Sequence, residues 1–170
     1  MRKGTGGEAV RRVAAPSGAL YDLVSDVTRM GQWSPECIRC EWIEGATGPA
    51  VGARFKGTSK RGLVRWSTTP RVVAAEPGRV FAFVTTHRGH DETQWTYRFE
   101  PDGHGTVVTE VFEMLADLPW YLRLVERVAM GVKDRRADLE AGMAETLRRL
   151  AAAAEPNARE PATAGQPQEA

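Results

Sequence analysis

Apolar residues recur at steps of three and four over a long C-terminal segment, from about residue 119 to residue 153. This spacing predicts one face of an amphipathic helix. At about 1.5 Å per residue, the helix would be roughly 50 Å long. It must therefore overhang its sheet, kink near Gly131, or act as a lid. The apolar stripe consists of Leu118, Leu122, Val125, Ala129, Val132, Leu139, Met143, Leu147 and Leu150.

Upstream of this helix, apolar and polar residues alternate in short runs that predict about six to seven β-strands. Glycine-rich and proline-containing turns separate the runs. Pro70 interrupts one long run and favours an edge strand or a bulge there, because proline cannot donate a hydrogen bond to a neighbouring strand. The predicted strands are 8–13, 37–44, 53–58, 63–75, 80–86, 91–100 and 106–114.

Two short helices are predicted between the first and second strands. Pro16 suits the first turn of a helix, and Leu20 and Val24 give that helix an apolar side. A second helix covers about 26–33, with Asp26 as its cap. The whole pattern predicts an α+β fold, in which a curved antiparallel sheet wraps round the long C-terminal helix and leaves a cavity between them.

Size and charge exclude several classes of protein. At 170 residues the chain is long enough for one domain with a real core. Its net charge of +1 argues against a nucleic-acid partner. No apolar run approaches the length of a membrane span, and the N-terminus lacks the apolar stretch of a secretory signal, so a cytoplasmic location is expected. The expected division is a flexible segment 1–7, a domain 8–154 and a disordered tail 155–170 without large apolar side chains.

The order of the predicted elements, together with scattered motifs, resembles the START-like, Bet v 1-like (SRPBCC) superfamily. Within it, the chain is similar to bacterial polyketide cyclase/dehydratase-like proteins. The resemblance spans roughly residues 8–150 and implies a helix-grip fold with a cavity for a hydrophobic small molecule. Some members cyclise or dehydrate polyketide chains, and others carry or sense lipids. The motifs are Ala15-Pro16, the stretch 26–35, Gly48-Pro49, 51–55, Trp66, Val72, Glu76-Pro77-Gly78, 95–97, Gly105-Thr106, Thr109-Glu110 and Thr146-Leu147 with Leu150.

Alternation along the strands predicts which side chains face the cavity. Trp95 and Tyr97 share a face with Thr93, and the aromatic residues of the neighbouring strands bring further threonines inward. Such a lining suits an apolar or polyaromatic ligand held by a few polar groups. Alternatively, the aromatic rings simply fill a core. The predicted ligand-binding residues are Phe55, Trp66, Thr68, Phe81, Phe83, Thr85, Thr93, Trp95, Tyr97, Val132, Arg136 and Met143.

Three residues are candidates for catalysis, each with a structural alternative. His87 has a side chain suited to acid–base chemistry, or is a solvated loop residue. Tyr97 donates its phenol to a ligand carbonyl, or bonds a backbone group. Arg136 interrupts the apolar stripe and meets a ligand carboxylate or enolate, or points sideways and pairs with an acid. Glu92 and Glu113 are expected at outward or edge positions.

Cys37 and Cys40 form a C-x-x-C pair that invites a redox or zinc interpretation. A structural zinc site needs two more ligands, and the three histidines lie on distant predicted loops. The pair also begins a strand instead of a helix, unlike a thioredoxin-like site. No Walker loop or G-x-G-x-x-G motif occurs. We therefore predict neither a metal site nor a cofactor.

Three functions remain after these steps. The first is binding or transport of a small hydrophobic ligand, either a lipid or a polyketide-like molecule. The second is a polyketide aromatase/cyclase or dehydratase, although no convergent acid–base pair is evident in the sequence. The third is a protein-interaction module that uses the overhanging helix and the tail. The chain is expected to be a monomer or a homodimer.

Overall fold

The fold is built on one curled antiparallel sheet. The computed structural model describes residues 1–87, 89–132 and 134–155, without the side chains of residues 87 and 123–126. Eight strands form the sheet, in the order β1-β8-β7-β6-β5-β3-β2, with β4 paired to β3. The strands are β1 (Gly6–Val13), β2 (Cys37–Ile43), β3 (Arg54–Arg61), β4 (Val64–Thr68), β5 (Arg71–Glu76), β6 (Val80–His87), β7 (His90–Pro101) and β8 (Thr106–Met114).

Pro70 explains why the sheet has one strand more than the sequence pattern predicts. The expected single strand 63–75 is divided into β4 and β5 at this residue. Both parts lie against β3, since Gly57 pairs with Thr68 and Arg54 pairs with Arg71. The Pro70 carbonyl accepts a hydrogen bond from the Phe55 N–H, while the proline nitrogen has none to give. The predicted break at Pro70 is thus confirmed.

Two short helices follow β1, as predicted. Helix α1 (Ser17–Ser25) starts directly after Pro16, and a 3₁₀ helix spans Val27–Gln32. Asp26 caps the second of these, because its carboxylate accepts a hydrogen bond from the Thr28 N–H. The prediction that Asp26 has a capping role is confirmed.

The single long C-terminal helix is not continuous. Helix α2 (Trp120–Ala129) and helix α3 (Arg135–Ala154) replace it. Gly131 lies between them with φ of 66°, in the left-handed region that glycine adopts without strain. Asp134 then caps α3, accepting hydrogen bonds from the N–H groups of Arg136 and Ala137. Of the three alternatives raised by the length of the stripe, a break near Gly131 is the one observed.

The sequence predicts a flexible segment 1–7 and a disordered tail 155–170. The backbone of Gly4 donates to the Met114 carbonyl at 2.8 Å, and β1 begins at Gly6. The expected flexible segment 1–7 is therefore hydrogen-bonded to the end of β8. Apart from its first residue, the predicted disordered tail 155–170 lies outside the described residues. Within the described part of the chain, no helix is both long and apolar enough to cross a membrane.

The core occupies one end of the space between the sheet and α3. There, Leu147 and Leu150 of α3 are buried in the same apolar cluster as Leu20 of α1 and Phe81 of β6. A smaller cluster around Phe112 packs with the N-terminal half of α3. These contacts fix α3 across the inner face of the sheet and define the fold as helix-grip. The other end of the inner face is incompletely filled.

Candidate functional site: a cavity between the sheet and the C-terminal helices

A cavity of about 460 Å³ lies between the inner face of the sheet and helices α2 and α3. Its size falls within the usual range for small-molecule sites. Strands β3, β4, β6 and β7 supply an aromatic wall of Phe55, Trp66, Phe83, Trp95 and Tyr97. Apolar residues from α2 and α3 cover the opposite side, among them Leu122 and Leu139.

The structure brings most of the predicted ligand-binding residues together at this cavity. Alternation along the strands predicts this shared inward face because each of these strands has one buried face, and their role in binding a ligand stays a prediction. Met143 lies apart from them and contributes to an adjoining cavity beside α3. The predicted residues that line the main cavity are Phe55, Trp66, Thr68, Phe83, Thr85, Thr93, Trp95 and Tyr97.

Phe81 and Val132 are buried but do not line the cavity. The Phe81 ring meets Tyr21 of α1 edge-on, with 6.4 Å between ring centroids. Helix α1 covers this part of β6, so the inward face of one strand is divided between core and cavity. Phe81 therefore belongs to the core, as the alternative interpretation of the aromatic residues expected, whereas Phe83 lines the cavity.

Arg136 points away from the cavity. Its Nε donates to Glu140 at 3.0 Å on the same helix, and its side chain is 60% exposed. This sideways ion pair is the alternative that the sequence offered for Arg136. Its neighbour Arg135 lines the cavity instead, because the break before α3 resets the helical stripe. The third catalytic candidate, His87, ends β6, and its side chain lies outside the described residues.

A buried pair of Tyr97 and Glu110 forms the polar floor of the cavity. The Tyr97 hydroxyl donates to Glu110 Oε1 at 2.6 Å and not to a backbone group, while its predicted role toward a ligand carbonyl stays a prediction. The two residues are 5% and 3% exposed. Burial raises the pKa of Glu110 to about 8, although the hydrogen bond from Tyr97 opposes the shift. The Glu110 carboxyl is therefore largely neutral near pH 7.

Glu110 is not among the site residues predicted from the sequence, although the sequence contains a signal that its side chain faces inward. The residue alternates with Val108 and Phe112 on β8, and both of these apolar side chains are fully buried. A glutamate at such a position must face inward. The contact with Tyr97 could not be predicted from the sequence, because it depends on the register that places Glu110 of β8 directly opposite Tyr97 of β7.

Glu92 also lines the cavity and lies on β7, which is an inner strand of the sheet, so the expectation of an outward or edge position is wrong. The pairing of β6 with β7 shifts at this point: Thr85 lies opposite Thr93, but Thr86 lies opposite Asp91. Glu92 is the extra residue of this bulge, which interrupts the alternation of faces. Its Oε1 is buried and has no hydrogen-bond partner among the described residues. Glu113, by contrast, is exposed as predicted.

A second bulge turns both cysteines into the cavity. The register between β2 and β3 shifts from Cys37 to Arg39, so Ile38 is the extra residue and Cys37 and Cys40 face the same way. Their sulfurs are 3.3 Å apart, and both are free thiols. The hydrogen bond from Cys40 lowers the pKa of Cys37, while the same contact raises the pKa of Cys40. Over the described residues, no three His, Cys, Asp or Glu side chains are grouped as metal ligands.

An ion-pair cluster joins the β3–β4 turn to the start of α3. Arg61 donates to both carboxylate oxygens of Asp138, one of them at 2.6 Å, and it also contacts Glu36. Arg135 contacts the same two acids. Burial alone would raise the pKa of Asp138, but Arg61 and Arg135 lower it overall. The adjoining cavity of about 520 Å³ opens beside this cluster and shares Glu36 and Glu110 with the main one.

Replacement of Asp138 by asparagine is expected to lower the free energy of unfolding by about 1 to 2 kcal/mol. The pair is only about a quarter exposed, so the effect lies between those of surface and buried ion pairs. Urea unfolding at neutral pH measures it, with Glu140→Gln as the control because Glu140 pairs with the exposed Arg136. Equal decreases in the free energy of unfolding of Asp138→Asn and Glu140→Gln would contradict a special stabilising role for the ion-pair cluster.

Comparison with known proteins shows which family has this architecture. The model of the family described as polyketide cyclase / dehydrase and lipid transport matches residues 7–155. The solution structure of a polyketide cyclase-like protein from Corynebacterium glutamicum is 35% identical, covers 88% of this chain and 91% of its own, and has a TM-score of 0.58. No curated protein matches the chain by sequence.

Two more distant structures share the fold. A protein from Chromobacterium violaceum is 18% identical over 89% of this chain and 99% of its own, with a TM-score of 0.66. The di-domain ARO/CYC StfQ from the steffimycin biosynthetic pathway is 17% identical over 88% of this chain, with a TM-score of 0.69. This chain covers 50% of StfQ, about the length of one of two domains. On the match to its family model and the identity to the Corynebacterium protein, the chain belongs to the polyketide cyclase/dehydrase and lipid transport family.

Proposed function

We propose that the protein binds a small hydrophobic molecule in the cavity between its sheet and its C-terminal helices. The observation that carries this proposal is the incompletely filled space of about 460 Å³ beside five aromatic side chains. Native proteins are packed as densely as organic crystals, so a space of this size has a cost unless a ligand fills it. Apolar walls with a few polar groups are typical of small-molecule sites.

Replacement of Gly57 by leucine is expected to block this cavity. Gly57 lies on the inner face of β3, its backbone is compatible with other residues, and a Cβ there would meet only Cys40 and Thr68 at ordinary contact distance. We expect the remaining leucine atoms to extend into the cavity and to occupy ligand volume. We expect affinity for any bound molecule to fall at least about tenfold, the equivalent of about 1.4 kcal/mol.

Native mass spectrometry of gently purified protein, followed by solvent extraction, measures this effect. The wild type should carry a discrete additional mass that the Gly57→Leu variant lacks. Gly18→Ala is the control, because a side chain at Gly18 on α1 meets nothing within 4 Å and lies outside the cavity. If the Gly57→Leu variant retained the additional mass, the ligand would lie outside this cavity. If neither the wild type nor the variant carried an additional mass, the result would favour a protein-interaction module.

A cyclase or dehydratase activity is the second candidate. It is supported by the likeness to StfQ and by the Tyr97–Glu110 pair, which holds a protonated carboxyl inside the cavity. Such a carboxyl can donate a proton to a carbonyl oxygen as a poly-β-keto chain enolises or cyclises. Turnover of such a chain that is lost in Glu110→Gln and kept in Glu113→Gln would support the activity. Binding without any chemical change would leave the carrier function.

A further inference from the structure

Three sulfur atoms from two elements of the fold lie close together at the start of β2. The thiols of Cys37 and Cys40 are 3.3 Å apart, and the Cys40 thiol donates to the Met30 thioether at 3.9 Å. Met30 belongs to the 3₁₀ helix Val27–Gln32, and both cysteines belong to β2. Binding of a hydrophobic molecule needs no such group, so this sulfur cluster (Met30, Cys37 and Cys40) has a chemistry of its own.

The backbone holds the sulfur cluster in place. Ile38 is the extra residue of the bulge in β2 and is exposed, so Cys37 and Cys40 turn inward on either side of the bulge. Gly31 lets the 3₁₀ helix lie directly against this bulge, because a Cβ there would meet the Ile38 carbonyl oxygen at 3.1 Å. The Ser34 hydroxyl, just after the helix, accepts a hydrogen bond from the Cys37 N–H at 3.2 Å. The sulfur positions are therefore fixed by contacts between the helix and the strand.

The spacing of the sulfurs suits a soft metal ion. At metal–sulfur distances of about 2.3 Å, a trigonal site holds its sulfurs about 4 Å apart, close to the observed separations of 3.3 and 3.9 Å. Thiolate and thioether ligands together favour copper(I). A structural zinc site would need four ligands, and the described part of the chain groups no three His, Cys, Asp or Glu side chains for it.

The cavity gives access to the sulfur cluster. All three residues line it, although the side chains of Cys37 and Cys40 belong to residues only 8% and 5% exposed. Gly57 of β3 lies opposite Cys40, and a Cβ there would be 3.5 Å from the Cys40 sulfur. Because glycine has no side chain, nothing from this position covers the thiol. The cavity therefore provides the entry path that a metal site requires.

We propose that Met30, Cys37 and Cys40 bind one copper(I) ion in a trigonal all-sulfur site. Both cysteines bind as thiolates and release their protons to solvent, and the metal stays in its copper(I) state. The sequence predicts no metal site at this C-x-x-C pair, because the pair supplies only two ligands. The third ligand comes from Met30, which the fold brings to the pair. The site goes beyond the proposed function, and neither depends on the other.

Anaerobic titration of the reduced full chain with copper(I) tests this proposal, in competition with the chromophoric chelator bathocuproine disulfonate. We expect the protein to take one copper ion per chain from the chelator. X-ray absorption fine structure of the copper should show three sulfur neighbours at about 2.3 Å and no nitrogen neighbour. Zinc(II) in excess should not displace the copper.

Variants of each ligand type identify the groups responsible. Cys37→Ala removes a thiolate, so we expect copper(I) affinity to fall at least about 100-fold. Met30→Leu should weaken binding by about tenfold and leave two sulfur neighbours. This change nearly conserves volume, so its effect does not depend on a loss of folding. Met143→Leu is the matched control and should keep full affinity, because Met143 is a buried methionine of the other apolar cluster, around Phe112.

Several results would overturn the copper site. They are copper(I) that stays with the chelator, fewer than three sulfur neighbours in the wild type, and equal weakening by Met30→Leu and Met143→Leu. A disulfide between Cys37 and Cys40 that forms in air, in a protein that takes up no copper when reduced, would assign the pair to redox chemistry instead. Native mass spectrometry of the hydrophobic ligand is a separate measurement, so failure of the copper site leaves the proposed function intact.

Discussion

A Glu110→Gln variant is expected to be more stable than the wild type in alkaline solution by about 5 kcal/mol, and about equally stable below about pH 4.5. Glu110 has its pKa raised from 4.5 to about 8 by burial, so the folded protein holds a proton that the unfolded chain releases over this interval. The contribution of Glu110 to the free energy of unfolding is therefore fully present below about pH 4.5 and declines as the pH rises towards 8. One group contributes at most about 1.4 kcal/mol per pH unit.

Glutamine keeps the size of the side chain and can still accept the hydrogen bond from Tyr97, but it does not ionise. Urea unfolding of both proteins across this pH range measures the effect as the difference between their free energies of unfolding. Glu113→Gln serves as the control, since this exposed residue lies on the outer face of the same strand. Parallel pH profiles for the wild type and Glu110→Gln would show that the carboxyl group is already ionised in the folded protein at neutral pH.

Replacement of Phe81 by alanine is expected to lower the free energy of unfolding by about 3 to 5 kcal/mol and to leave ligand affinity unchanged. The ring is completely buried between Tyr21 and Phe83, away from the cavity. Its removal creates a void in a region that α1 and α3 hold in place. Phe83→Ala removes a ring from the cavity wall instead, so its affinity should fall.

Thermal and urea unfolding of the two variants measures the loss of stability, and titration at a temperature where both remain folded measures affinity. Trp120→Ala is the control, because this side chain is three-quarters exposed and its removal should change neither quantity. If Phe81→Ala lost as much ligand affinity as Phe83→Ala, Phe81 would have to be assigned to the ligand site instead of the core.

The pattern of apolar positions determined the class of fold and most of the cavity wall. Strands with one buried face specify which side chains point inward, and this rule placed Phe55, Trp66 and Trp95 correctly from the sequence alone. Glycine and proline added the boundaries, since Pro70 restricts the backbone and Gly131 permits a positive φ, and neither property depends on a neighbour. These signals are local, so a single sequence contains them.

Other features depended on pairing between distant segments. The bulges at Ile38 and Glu92 change which side chains face the cavity, and they exist only because a neighbouring strand fixes the register. The division of β6 between core and cavity depends on α1, which covers Phe81 and not Phe83. Contact between Tyr97 and Glu110, and the unusual pKa that accompanies it, likewise requires β7 beside β8. The sequence by itself determined the fold and the apolar lining through local periodicity, whereas the tertiary structure decided the cavity's polar chemistry, because burial and register are properties of the assembled sheet.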